Sequence, residues 1–234
     1  MKMTCSRAIM PLALVVLLFA PSAFGQAKDS LALDARLRAE TASFKGKVFL
    51  FAKNLETGKT YSLEGDERVR TASTIKIAVM IEAFGRVAEG RAKWTDELVL
   101  TKAARYGGSG VLPELADGLR LTLRDCVNLM MLISDNTATN MVLGYLTTDA
   151  VNARMNSLGF KNTRIMRRVG SGGESKEGKE PDNKRFGLGA TTPHEMVQIL
   201  EKLGEPTTKT QNPSSHRSAS PGTDEPDIED ELRG

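Results

Sequence analysis

The chain has 234 residues, about a quarter of them charged, and a formal net charge of only +3. A balance this close to neutral supplies no basic surface of the kind nucleic-acid binding needs. Two cysteines and two histidines leave little for a disulfide framework, a zinc site or a histidine-based triad.

Residues 1–25 read as a secretory signal. Lys2 and Arg7 form the charged start, an apolar core runs from Ile9 to Ala20, and Ala23-Phe24-Gly25 is a small-x-small cleavage pattern. The apolar core is short for a membrane span and is interrupted by Pro11. Export to a secreted or periplasmic location, with no stable membrane anchor after cleavage, is therefore expected. Removing Lys2 and Arg7 lowers the net charge to about +1 and leaves Cys126 as the one cysteine of the mature chain, placed in an apolar helical run as a small buried residue.

From Leu31 to Phe44 apolar residues recur at helical spacing among Ala, Leu, Arg and Glu, which predicts an N-terminal helix. Lys47–Lys53 and Lys59–Leu63 are strand-like on either side of the turn residues Asn54–Gly58 and predict a hairpin. A helix is expected over Ser73–Val87, an extended piece over Trp94–Leu100, and further helices from about Leu121, Thr137 and Asp149. Gly107–Gly110 and Gly170–Gly173 lack the lysine of a phosphate-binding loop and read as turns, and His194 reads as a surface residue at a helix start. This order predicts an α+β fold with helices packed on an antiparallel sheet.

Two motifs carry chemistry. Ser73-Thr74-Ile75-Lys76 begins an apolar helical run, so residues three apart place the Lys76 amine and the Ser73 hydroxyl on one face. An amine removes a hydroxyl proton near neutral pH only if burial or a neighbouring cation lowers its pKa. Ser134-Asp135-Asn136 follows 61 residues later at the junction of two helical patterns, where Ser134 can relay a proton and Asn136 can bind substrate or Lys76. Each motif alone also reads as a helix cap, because Ser, Asp and Asn are the preferred capping residues. Together they point to a lysine-activated serine nucleophile.

From about Lys45 to Leu203 the chain resembles the serine β-lactamase and penicillin-binding family, class A β-lactamases in particular. Beyond the two motifs, the matching words are Gly108-Ser109-Gly110-Val111-Leu112, Leu121-Thr122-Leu123-Arg124-Asp125, Thr137-Ala138-Thr139-Asn140 and Thr191-Thr192-Pro193. The resemblance implies a β-lactamase/transpeptidase-like fold with Ser73 as acylated nucleophile, Lys76 as its base, Ser134 as proton shuttle and Asn136 as substrate and Lys76 ligand. The Ser73 N–H would form half of an oxyanion hole. The substrate would be a small-molecule β-lactam or a peptidoglycan-like peptide. No cofactor, metal or nucleic acid is expected, and the protein should be a monomer.

Two departures stand out. The family's Glu-x-x-Leu-Asn, which positions a deacylating water, has no clear counterpart between Arg164 and Thr191; Glu180-Pro181-Asp182-Asn183 is the nearest approximation, making Glu180 the deacylation candidate. The family's Lys-Thr-Gly is also missing, since Lys209-Thr210-Gln211 lacks the glycine and a strand context. Residues 204–234 contain four prolines and seven acidic against three basic side chains, a composition that cannot offset its ordering entropy. The expected organisation is a signal at 1–25, a partial domain at 26–203 lacking the later strands, and a disordered, non-homologous tail at 204–234, as in a truncated or frame-shifted reading of a longer parent. Three functions follow: a β-lactam hydrolase working through an acyl-enzyme, a penicillin-binding or peptidase-like protein that releases its acyl group slowly, or a non-catalytic fragment.

Overall fold

A computed structural model of the chain describes residues 23–205. Most of the predicted signal and of the predicted tail lies outside the described residues; the first tail residue, Gly204, is the last residue of the final helix, so the folded segment runs past the expected boundary at Leu203. The first helix, α1 (Ala23–Thr41), begins upstream of the expected Leu31, spans Gly25, and ends three residues short of Phe44. The hairpin follows as β1 (Leu50–Lys53) and β2 (Thr60–Leu63), antiparallel with Leu50 opposite Leu63 and Lys53 opposite Thr60. Asn54 closes its turn, accepting from the Glu56 and Thr57 N–H groups through its side chain.

After β3 (Val69–Arg70) the chain enters a 3-10 turn at Ala72–Ile75 and then α2 (Lys76–Ala88). The expected single helix from Ser73 is therefore split at Lys76. Ile75, Ala78, Val79 and Ala83 form the fully buried stripe of this segment, at the three- and four-residue spacing that one helix face requires. Next come β4 (Glu97–Val99), β5 (Arg120–Thr122), α3 (Leu123–Leu132), α4 (Asn136–Leu146) and α5 (Thr148–Ser157). Thr122 and Asp125 form a reciprocal capping box at the start of α3. Thr137 to Leu143 of α4 are all buried, so this helix is the centre of the lobe, packed by α2, α3 and α5. Cys126 is fully buried, and burial pushes its thiol up to about 12, which makes it an inert core residue.

The last described stretch holds β6 (Arg164–Ile165), α6 (Lys176–Lys179), a 3-10 turn at Pro181–Phe186, β7 (Gly189–Thr191) and α7 (Pro193–Gly204). The Thr191-Thr192-Pro193 word is a helix start: Pro193 supplies a preset φ at the first position and Thr192 Oγ1 accepts from the Glu195 N–H at 3.0 Å. His194 in the first turn of α7 stacks on Phe51 and contacts Asp66, joining α7 to the hairpin.

The antiparallel strands do not form one sheet among the described residues. They fall into a β1–β2 pair, a three-strand piece ordered β3–β7–β6, and a β4–β5 pair. The chain is thus α+β with a well-developed helical lobe and small antiparallel pieces. The two-residue strands β3 and β6 are too short to leave a hydrophobic alternation in the sequence, so only β7's partners in space reveal them.

Candidate active site

Ser73 lies in the 3-10 turn, exposed, with the Lys76 N–H bonded to its carbonyl oxygen. In a 3-10 turn residues three apart eclipse one another, so Ser73 and Lys76 share one edge more closely than on an α-helix. The residue before the serine, Ala72, has φ +45°, in the left-handed region that costs a non-glycine residue about 1 kcal/mol. This lifts the chain out of β3 and turns it into the helix within one residue.

Lys76 itself is 2% exposed. Its Nζ donates to Ser134 O at 2.7 Å, to Ser134 Oγ at 2.9 Å and to Asn136 Oδ1 at 3.0 Å. An ammonium has three protons, and these three acceptors match them; Ser73 Oγ is not among its partners. Burial holds the Lys76 pKa below its ordinary value, while the Asp135 charge acts in the opposite direction. The sequence reading anticipated the burial but not the counteracting carboxylate.

Ser134 occupies the junction between α3 and α4 with φ +56°. That strained conformation turns both its carbonyl and its hydroxyl onto Lys76, and strain held in place by surrounding bonds is characteristic of functional positions. The surrounding bonds come from Asp135, which is fully buried. Its Oδ1 caps α4 by accepting from the Ala138 N–H at 2.8 Å, and its Oδ2 accepts from Val111 and Leu112 N–H at 2.7 and 2.9 Å. One carboxylate therefore fixes both the helix start and the 106–112 loop. Gly110 lies against it with φ +101°, and a Cβ there would overlap the carboxylate. Asn136 closes the same corner, its amide nitrogen donating to Gly107 O at 2.9 Å.

One turn further along α4, Asn140 holds a second loop. Its Nδ2 donates to Ala104 O and Val169 O, both at 3.1 Å, and its Oδ1 accepts from the Val169 N–H at 2.9 Å. Asn140 appeared in the sequence only as part of a matching word. The residue this clamp ties to the site helix is a valine. Glu180, by contrast, is exposed at the end of α6, and no hydrogen bond joins its side chain to Ser73, Lys76, Ser134 or Asn136 among the described residues. Glu177 is spent elsewhere, accepting from Asn152 Nδ2 at 3.0 Å near Arg164. Gly170, Gly172 and Gly173 all have positive φ, the turn conformation their spacing implied. No group of three or more His, Cys, Asp or Glu side chains suited to a metal occurs among the described residues.

A model of the beta-lactamase enzyme family matches residues 32–219. The chain belongs to that family. It is 26% identical over 196 residues to Beta-lactamase CARB-4 of Pseudomonas aeruginosa, covering 83% of this chain and 65% of that protein. It is also 26% identical over 165 residues to the D-alanyl-D-alanine carboxypeptidase DacF of Bacillus subtilis (strain 168), covering 67% of this chain and 40% of that one. The crystal structure of a beta-lactamase from Sphaerobacter thermophilus DSM 20745 superposes with a TM-score of 0.60 at 37% identity, over 74% of this chain and 62% of that chain. The fold is β-lactamase/transpeptidase-like, and the chain spans about two thirds or less of the length of these relatives. Among the described residues, no strand carrying a Lys-Thr-Gly accompanies the site.

Proposed function

We propose that the protein is an exported active-site serine hydrolase that opens the amide bond of β-lactams through an acyl-enzyme. The observation that carries this reading is the placement of Lys76, buried and bonded to both Ser134 Oγ and Asn136 Oδ1. A lysine in this setting gives up a proton more readily than one in water, and as a neutral amine it accepts the proton of Ser73 Oγ. Ser73 Oγ then attacks the lactam carbonyl carbon and the C–N bond breaks. Lys76 passes a proton to Ser134 Oγ while the Ser134 proton goes to the departing nitrogen, so the relay balances. The Ser73 N–H stabilises the oxyanion. Water hydrolyses the ester in a second stage. The mature protein would act as a monomer without cofactor or metal.

A second reading has specific support: acylation by a β-lactam or a peptidoglycan-like peptide with slow release. Its support is that Glu180 is exposed and unconnected to the nucleophile, while the loop residue clamped to Asn140 is Val169, which cannot activate water. Similarity to both a β-lactamase and a carboxypeptidase fits either reading. A fluorescent penicillin and a chromogenic cephalosporin separate them. Labelling of Ser73 with turnover supports the hydrolase, labelling without turnover supports slow release, and no labelling of a folded sample refutes both in favour of a non-catalytic protein.

Export is proposed from residues 1–25. Among the described residues no helix is long and apolar enough to cross a membrane. Intact-mass measurement of the periplasmic protein should find cleavage at or within about two residues of Gly25, and recovery of the full chain in membranes would count against it.

A further inference from the structure

Four non-glycine residues among those described have positive φ, and Thr147 is the one with a β-branched side chain. Its φ of 71° and ψ of 147° lie where steric conflict leaves room for little but glycine. It is also the whole connection between two helices, since α4 ends at Leu146 and α5 begins at Thr148. Two bonds hold it there: its N–H donates to Leu143 O at 3.0 Å, and its Oγ1 accepts from the Ala150 N–H at 3.3 Å. A strained residue that persists because its neighbours fix it points to something that the fixed geometry delivers.

What it delivers is Thr148. This side chain is buried, and its Oγ1 donates to Gly173 O at 3.0 Å. The first turns of α5 grip the same loop elsewhere: Asp149 Oδ1 accepts from the Lys176 N–H at 2.8 Å, and Asn152 bonds both the N–H and the carbonyl of Ile165, at 2.8 and 2.9 Å. The loop is closed at its base by the Ser175 N–H on Met166 O and at its turn by the Arg168 N–H on Gly172 O. Its other side lies on the candidate site. Val169 is held by Asn140, one turn along α4 from Asn136, and a Cβ on Gly170 would overlap the ring of Tyr106, whose N–H donates to Thr137 Oγ1. Residues 166–175 are thus fixed from two helices, by Asn140 of α4 and by Thr148 of α5, and the strained Thr147 sets how those two anchors stand to each other. Among the described residues no carboxylate of this loop is hydrogen-bonded to Ser73, Lys76, Ser134 or Asn136. What the clamp holds beside α4 is an apolar residue, and apolar cover excludes water rather than activating it.

We propose that Thr148 is a positioning residue for the acyl-enzyme: its hydroxyl keeps the 166–175 loop closed on α4, and the closed loop keeps water from the acyl ester on Ser73. The inference rests on the serine acylation proposed above. Release is hydrolysis of that ester, in which water adds its oxygen to the acyl carbon and the proton it gives up goes to Ser73 Oγ as the C–O bond breaks. The lifetime of the acyl group is thereby assigned to a residue that touches neither substrate nor nucleophile.

The test measures amide hydrogen exchange and acyl lifetime on the full chain carrying Thr148→Val, which keeps the shape of the side chain and removes the donor. Losing one hydrogen bond between neutral groups should quicken exchange of the Val169 amide about fivefold and shorten the lifetime of the penicillin-labelled protein by a similar factor, because both pass through the same opened loop. The rate of labelling should not change. Thr148→Ser, which restores the hydroxyl, should restore both readouts, and Thr148→Ala takes the place of the valine if that variant fails to fold by circular dichroism. Unchanged exchange at Val169, an unchanged or longer lifetime beside faster exchange, or failure of the serine to restore the lifetime would each overturn the proposal. Absence of labelling in the folded parent would refute the serine reading itself, and exchange at Val169 would then decide for or against the anchor alone.

Discussion

Lys76 Nζ lies 2.9 Å from Ser134 Oγ, a contact that joins the two sequence motifs across 58 positions of chain. Because the same nitrogen also meets the Ser134 carbonyl and Asn136, the lysine is oriented before any substrate arrives. Pre-orientation of this kind lowers the cost of proton transfer.

The nucleophile is tested by labelling. Ser73→Ala should abolish modification by a fluorescent penicillin, and Lys76→Ala should slow it by at least about 100-fold, the usual contribution of a positioned base. Ser134→Ala should slow it while leaving Ser73 the labelled residue, as read by peptide mass mapping. Full labelling of Ser73→Ala would exclude the mechanism.

The pH dependence follows from the lowered Lys76 pKa. Below that pKa the group is an ammonium and cannot accept a proton, so labelling should rise with pH and reach its midpoint below 10.5, the ordinary lysine value. Removing the opposing Asp135 charge should move the midpoint lower still. A rate that is flat with pH in the parent but pH-dependent in Lys76→Ala would contradict the assignment.

Gly110 and Gly118 make a controlled comparison. Both have positive φ, but a Cβ at Gly118 meets nothing within 4 Å, whereas at Gly110 it meets the Asp135 carboxylate. Gly118→Ala should cost about 1 kcal/mol in denaturant titration, from backbone strain alone. Gly110→Ala should cost more and also impair labelling, because it pushes on the group that fixes the start of α4.

An ion network braces α2 against α5. Glu82, 2% exposed, accepts from Arg86 Nε at 2.7 Å and Arg154 Nε at 2.8 Å, and Arg154 reaches on to Glu89. Arg154→Met should destabilise by about 3 kcal/mol, since it leaves a buried carboxylate short of a partner. Hydrogen bonds from Arg154 and Arg91 lower the Glu89 pKa from 4.5 to about 2. A depressed carboxylate stabilises above its unfolded value, so its contribution should be intact above about pH 5 and be lost as the pH falls toward 2. Glu89→Gln should flatten that part of the acid-unfolding curve.

Glu180 and Val169 give opposite expectations for release of the acyl group. Glu180→Gln should leave deacylation unchanged, since the side chain is exposed and unconnected to the site. Val169→Glu places a carboxylate at the loop residue clamped by Asn140 and should shorten the lifetime of the labelled protein in mass spectrometry. Loss of turnover in Glu180→Gln would restore Glu180 as the general base.

What the sequence by itself determined was local. The apolar stripe from Ile75 to Ala83, the caps at Thr122 and Thr192 and the turn at Asn54 arise from neighbours a few residues apart, so periodicity and capping residues announce them. The pairing of Ser73-x-x-Lys76 with Ser134-Asp135-Asn136 was legible for the same reason: each motif is a short word at a helix boundary. The tertiary structure alone decided which atoms meet. Lys76 turns to Ser134 and Asn136 because α2 and α4 pack side by side, Asp135 becomes the buried counter-charge because the 106–112 loop folds over it, and Val169 becomes the residue at the clamp because Asn140 spans two loops. Those contacts join segments some 23 to 60 residues apart, and no periodicity records a distance in space; only the packing of the helices brings them together.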